Sequence, residues 1–412
     1  MSSFTIPLSG LAATSESLNA IANNLANMNT DGYKDETLDF ASVFSQMQGT
    51  SGNGDPIQVG NGVQVAGTTS NFTNGDLDST GVASNMALQG NGFFVVQDGT
   101  GEDFTRDGDF TVNSQGQLAT QGGQLVLGYP AVDGLVQTGA PLAPIIVDQA
   151  NNIPAVATTS FQMTTNLDAT ATVGTTYSSP IAVYDSLGQS HDLTINYTNT
   201  AANTWTYSIT LPAADTGGTG NPTTVATGTL DFNSSGVLTS PTGTVPGITI
   251  SGLADGAATM NLTWDLSGSG GTEAITQQAG TSATSETTQN GYATGTLTGY
   301  TVLSDGTVQG QFSNEQTLTL GQVAVASFAN NQGLTQTADN NYQASAASGA
   351  AVIGQAGAGG DGTITDGSVE ESNVSLSAEF ANMIVAQQGY EANAKVLTTL
   401  DQVYQATLQV IS

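Results

Sequence analysis

The hydrophobic pattern is most regular at the end of the chain. From Asn373 to Ser412, the residues Leu376, Met383, Tyr390, Leu397, Tyr404 and Ile411 stand seven apart without a miss. Phe380, Ala394 and Leu408 fall four residues after members of that row, and Val396, Val403 and Val410 one residue before. Residues at such offsets share one side of an α-helix, so the pattern predicts one long helix over 373–412 with a wide apolar stripe. The span has no proline and one glycine, Gly389. Ser375 or Asn373 can supply the N-cap oxygen. The start of the chain repeats the design over 1–30: Phe4, Leu11, Leu18 and Leu25 are seven apart, joined by Leu8, Ile21 and Met28. Pro7 sits in the first turns, where its missing N–H costs least, and Gly10 weakens the interior slightly. Stripes of this kind need a partner in water. The economical partner for each is the other, in a coiled-coil-like pair.

Between the ends the period changes. Short runs such as Met86–Leu88, Phe93–Val96, Phe104–Thr105, Phe110–Val112, Gln117–Ala119 and Leu125–Leu127 are separated by Gly90-Asn91-Gly92, Asp98-Gly99, Asp107-Gly108 and Ser114-Gln115-Gly116. These read as β-strands and turns. Strict alternation in Leu193–Tyr197 and Trp205–Ile209 predicts half-buried strands, within a Gly/Thr-rich region that suits a sandwich or barrel. Residues 49–54 read as a loop, 267–290 as a Gly/Ser/Thr/Gln-rich linker, and 346–366 as a long Gly/Ala/Asp region. The fold class is therefore multidomain and mainly β, with a long helix at each terminus.

Composition limits the chemistry. Lys34, Arg106 and Lys395 are the only basic side chains against 34 acidic ones, a net charge of −31. Such a surface repels nucleic acid and anionic membranes. The two ends are nearly neutral: residues 1–34 carry Glu16, Asp31 and Lys34, and residues 373–412 carry Glu379, Glu391, Asp401 and Lys395. The acidity thus belongs to the middle, which suits densely packed ends and a water-facing middle. With no cysteine there is no disulfide or thiolate metal site. The N-terminus lacks the basic and apolar regions of a cleaved signal peptide, and no window approaches the roughly 18 continuous apolar residues of a membrane span.

No catalytic, metal or cofactor site is expected. The single histidine, His191, lies in a Gly-Gln-Ser-His run near Asp185 and Asp192 and reads as a solvated loop residue. Gly359–Thr365 resembles one copy of a Gly/Asp calcium repeat, but such rolls need stacked copies, so a turn is the better reading. Arg106 stands among Glu102, Asp103, Asp107 and Asp109, one of which is its expected structural partner.

After the first helix comes Asn23-Asn24-Leu25-Ala26-Asn27, then Met28, then Asn29-Thr30-Asp31-Gly32-Tyr33-Lys34. Taken alone this is a helix stop, with an end near Asn27–Asn29. With the ends of the chain it is more. It resembles the N-terminal signature of the flagellar axial proteins, the family of rod and hook. Glu371-Ser372-Asn373-Val374 and Met383 to Ala394 resemble the same family's C-terminal signature, with Gln388 in place of the usual arginine and an unusual Gly389. Leu88–Val95 and Phe104–Phe110 resemble its "I.G.GFF.V" and "YTR.G.F" elements, and Asn290 to Leu334 its return segment, with Glu315 where glycine is usual. The resemblance is weak over roughly 150–285.

The resemblance implies a structural subunit and no enzyme. It implies that many copies assemble into a curved tube that joins rod to filament and transmits torque while bending. Length and the inserted β domain place the chain with the hook members rather than the shorter distal rod members, which are the alternative within the family. A secreted Gly/Thr-rich adhesin is the alternative outside it. The implied partners are further copies of itself and the rod, hook-cap and hook-filament junction proteins. The implied place is the extracellular hook, reached without a cleaved signal peptide. The implied order is nested: helices 1–30 and 373–412 inside, an extended connector of 31–73 with 346–372, a discontinuous β domain of 74–148 with 286–345, and an inserted outer domain of 149–285. The residues expected to polymerise are the two stripes, and the signature residues Asn23 to Ala26, Asn27, Asn29, Thr30, Gly32, Tyr33 and Lys34 accompany them.

Overall fold

The computed structural model describes residues 4–50, 56–99, 101–148, 152–268 and 273–411. Helix α1 is Thr5–Ala26 and helix α2 is Leu376–Ile411. Nearly everything between them is strand and turn, as the change of period predicts. The loop read at 49–54 lies partly outside the described residues. The helix expected over 373–412 begins at Leu376, directly after Ser375, one of the two candidate caps. Contacts divide the chain into two units, one of Met1–Asp148, Gly299–Gln311 and Thr317–Ser412, the other of Gln149–Thr298 and Phe312–Gln316.

In the first unit, α1 packs on α2 and on a hairpin of Glu36–Ser42 with Val63–Ser70. The segments read as an extended connector are thus paired strands. Gln46–Thr50 pairs with Pro56–Val59, Leu77–Ser79 with Ser368–Glu370, and Met86–Gln89 with Thr363–Asp366. The main sheet is built from both passes of the chain. Thr317–Ser327, from beyond the insertion, pairs with Leu125–Val132 and Phe93–Asp98 of the first pass. Its faces are covered on both sides: Phe94, Val96, Val323 and Val325 enter one apolar cluster, and Phe93, Val95, Ala324 and Ala326 the other. Strands buried on both faces read as continuous apolar runs, which is why Phe93–Val96 does not alternate.

The second unit is a sandwich. One sheet is an antiparallel meander of Thr176–Tyr184, Ser190–Ala201, Thr204–Leu211, Thr223–Phe232 and Leu238–Ser240. The other is mixed. Its central strand Ser160–Asp168 runs parallel to Met260–Asp265 and Ile275–Gln278 and antiparallel to Ala283–Gln289. Two of these strands occupy the stretch read as a linker. Thr and Gln carry them there, with few apolar positions to mark them. Alternate residues of both sheets meet in one core around Trp205, Trp264, Tyr197 and Phe161.

His191 is not a solvated loop residue. It sits on strand Ser190–Ala201, 5% exposed, with ring nitrogens on Asp185 and Asp215. Glu315, where the family has glycine, takes φ of 63°, the left-handed region that glycine enters without strain.

Trp264 stacks on Phe161 and meets Tyr207 edge-on at 5.2 Å, so it joins both sheets. Removing it would leave an unfilled core site. Trp264→Ala should cost the second unit about 3–5 kcal/mol, read as a lowered urea midpoint by Trp205 fluorescence.

Candidate functional site

The two helices run antiparallel. Phe4 meets Tyr404 edge-on at 6.4 Å, and Asn24 lies beside Glu379 at the other end. Apart from the Phe4–Tyr404 contact and the buried Ile21, the seam is not made by the apolar stripes. It is a neighbouring row of small and polar residues. A Cβ on Gly10 would come within 2.8 Å of the Asn393 amide, and one on Gly389 within 3.3 Å of Thr14 Cγ2. Helical glycine costs about 0.5–1 kcal/mol against alanine. At this seam it permits close approach, which gives both glycines a role that an isolated helix would not. Ala13, Ile21 and Ala386 are buried with them.

The stripes are displaced from that seam. On α1, Ile21 is buried, Leu11, Leu18 and Leu25 are half-buried and Leu8 is exposed; Phe4, at its N-cap, and Met28, in the turn beyond its end rather than on the helix, are half-buried. On α2, Met383 and Leu397 are half-buried, while Leu376, Phe380, Tyr390, Tyr404 and Leu408 are exposed, with Ile384, Val385, Val396 and Val403. The side chain of Ile411 lies outside the described residues. The exposed side chains leave a run of apolar surface along α2.

The signature after α1 is a polar knot. Asn23 donates to the Tyr33 hydroxyl, which donates to Asn24 Oδ1 at 3.1 Å. The Asn24 amide donates to Asp35 at 2.6 Å and to the Glu36 carbonyl, and its oxygen accepts the Glu36 N–H. Asn27 donates to the Asn23 carbonyl, and Thr30 to Asn27. Burial, then the charges of Glu36 and Asp35, push the Tyr33 hydroxyl up to about 12. Gly32 has φ of +68°, and a Cβ there would lie 2.5 Å from the Arg106 backbone. Ala26 and Asn29 are exposed. Asn373, a candidate cap of α2, instead accepts the Asp35 N–H at 2.7 Å and donates to the Asn71 and Thr73 carbonyls. Ser375, whose carbonyl accepts the Glu379 N–H, precedes the helix.

Beneath the knot lies its anchor. Lys34 Nζ is 2.6 Å from Glu370 Oε1, and Arg106 Nη1 is 3.4 Å from Glu370 Oε2. All three side chains are buried. Arg106 therefore does not pair with Glu102, Asp103, Asp107 or Asp109 as expected. Its hairpin aims it inward, where it also donates to the Leu88 and Gly90 carbonyls and lies 5.4 Å from the Phe93 ring centroid. Lys34 further donates to the Thr73 carbonyl, and Glu370 accepts the Gly75 N–H. Burial pulls Lys34 and Arg106 below their usual ranges, and Glu370 opposes it in both. Sequence reasoning missed Glu370 because nothing local marks it. It is one acid among 34, and its partners are distant along the chain.

Removing one member of a buried ion pair strands the others, typically at about 3–5 kcal/mol. Glu370→Gln should destabilise the first unit by that order in urea unfolding. Lys395→Gln, at an exposed position on α2, should change it by less than about 0.5 kcal/mol.

Four family models match. Residues 6–34 match "Flagella basal body rod protein", 87–169 "Flagellar hook protein FlgE/F/G D1 domain", 152–292 "Flagellar basal body protein FlaE D2 domain", and 365–410 "Flagellar basal body rod FlgEFG protein C-terminal". The flagellar hook protein FlgE of Salmonella typhimurium is 38% identical over 97% of this chain and 98% of its own. That of Escherichia coli is 36% identical over 97% and 98%, and that of Treponema pallidum 30% over 98% of each. The crystal structure of Helicobacter pylori flagellar hook protein FlgE2 superposes with a TM-score of 0.52 at 16% identity, covering 70% of this chain and 98% of that one, a likeness of fold.

Proposed function

The chain belongs to the flagellar hook protein FlgE family, and from that premise we propose that it is a structural subunit of the bacterial flagellar hook. Copies polymerise into a flexible curved tube that couples rod to filament and carries torque. The observation that carries this reading is the apolar row of α2. It repeats every seven residues, yet α1 packs mainly on the adjacent small-residue row and leaves Leu376, Phe380, Tyr390 and Leu408 exposed. Burying such a face against other copies removes apolar area from water, at about 25 cal/mol per Å². An apolar groove of about 400 Å³ beside it, lined by Ile21, Leu38, Phe40 and Val385, extends the surface across the helix pair.

On this reading the terminal helices form the tight inner contacts. The acidic β units supply weaker outer ones, which polar surfaces can exchange as the tube bends. Rod-type subunits are neighbours at the inner end; hook-cap and junction proteins are the further partners. The subunit works in the part of the flagellum that lies outside the cell.

Phe380→Asp and Val396→Asp place charge on positions that are about half exposed in the single chain. They should leave the monomer's thermal midpoint unchanged and abolish sedimentable polymer. Tubes of normal yield in electron micrographs of both variants would remove the row from the interface. The charge of −31 makes a second prediction. The screening length is about 8 Å at 0.15 M salt and lengthens in dilute buffer. Assembly by turbidity should therefore fall as sodium chloride is withdrawn, and magnesium at matched ionic strength should add little if screening alone is at work.

A further inference from the structure

Three carboxylates from three separate pieces of chain face His191 in the second unit. Asp185 belongs to the turn before the histidine's strand, and its Oδ2 lies 3.1 Å from Nε2. Asp215 belongs to the short 3-10 helix Ala213–Thr216, and its Oδ2 lies 3.0 Å from Nδ1. Asp255 belongs to the loop before Met260–Asp265, with Oδ2 3.9 Å from Nε2. The pieces are also tied to one another. The Ala254 N–H donates to the Asp215 carbonyl at 2.8 Å, and the Ala258 N–H to Ser186 Oγ at 2.9 Å. Asp185 Oδ1 is occupied by the Leu187 and Gln189 N–H groups, so the carboxylate cannot turn away. Asp192, next on the strand, is exposed, and Val183, opposite His191 in the register, is neutral.

A neutral imidazole has one N–H and one lone pair. It can donate to Asp185 or to Asp215, and must then present a lone pair to the other carboxylate at about hydrogen-bond distance. Only the imidazolium satisfies both.

We propose that His191 is a proton-operated latch, which when charged holds the 185–189 turn, the 213–216 helix and the 253–258 loop together and when neutral releases one of them. The thermodynamics agree with the geometry. Burial works against the charged ring, but the hydrogen bonds and charges of Asp185 and Asp215 outweigh it and raise His191 above 6.5. Burial likewise opposes Asp185, but contacts with Asp255 and His191 and the two N–H groups hold it down to about 2. A base whose folded value is raised contributes stability that is fully present below its unfolded value. That stability is lost as pH rises through the folded value. The latch is therefore fully closed below the ordinary histidine value and opens as pH rises through the ring's raised value.

The whole chain offers clean probes. His191 is its only histidine, and both of its tryptophans, Trp205 and Trp264, lie in the core of this unit. In the full-length protein without a histidine tag, the single imidazole resonance should titrate above 6.5. The tryptophan-monitored thermal midpoint should fall across the same range, by roughly 3 °C for every tenfold gain in proton affinity that folding gives the ring. His191→Gln should flatten that fall, and Asp215→Asn should move it to lower pH. A resonance titrating at or below 6.5 would overturn the latch, whether or not the variants fold. So would a fall of unchanged size in folded His191→Gln.

Discussion

Two of the three cations in the chain are spent on one buried carboxylate. Glu370 holds Lys34 from the end of the first signature and Arg106 from the first β pass, and it stands six residues before α2 begins. Three distant parts of the sequence converge on it, and its surroundings close around that point. The strand that bears Glu370 pairs with Leu77–Ser79, its carbonyl accepts the Gly32 N–H, and Asn373 reaches Asp35. In a protein of such negative charge, a single buried acid paired with two of the three Lys and Arg side chains stands apart from most of the other 33. Interiors of low dielectric make any other arrangement of these charges expensive, so the anchor specifies which segments meet.

The helices were legible in the sequence because a seven-residue period is long-range and survives polar interruptions. A coiled-coil-like pairing of the ends was expected from the need of each stripe for a partner. Neither its antiparallel sense nor the face used was legible. Gly10, Thr14, Gly389 and Asn393 are small or polar, and no hydrophobicity pattern points to a seam made of such residues. Strands with clear alternation, such as Thr204–Leu211, were equally legible. Ile275–Gln278 and Ala283–Gln289 were not, because Thr, Ser and Gln satisfy a sheet's hydrogen bonds without announcing a buried face.

Charged residues were the hardest to place. Local composition set Arg106 among four acids, yet a strand-turn geometry sends its side chain the other way. His191 sits in a run of turn-forming residues, but the strand begins one residue before it. Arg106 finds its carboxylate far along the chain, and His191 meets the more distant Asp215 as well as the neighbouring Asp185, so sequence proximity is an incomplete guide to which carboxylate a cation will meet. The signature residues behaved differently. Most of their hydrogen bonds are local, from Asn23 to Glu36, so a motif read as a helix stop proved to be a fastening, which Gly32 and Lys34 tie to Glu370.

The apolar row on α2 has a handedness that its exposure alone does not convey. A strict seven-residue repeat falls short of two full turns of a helix and drifts by about 20° with each repeat. From Leu376 to Ile411 the row completes five repeats. It therefore winds around the helix by roughly 100°. A straight neighbour laid along it would lose the row before reaching its end. Only partners that coil about one another in a left-handed sense stay in register throughout. Packing many such helices side by side would build torsion into the wall they form, so twisting the wall in one sense would tighten those contacts and twisting it in the other would loosen them.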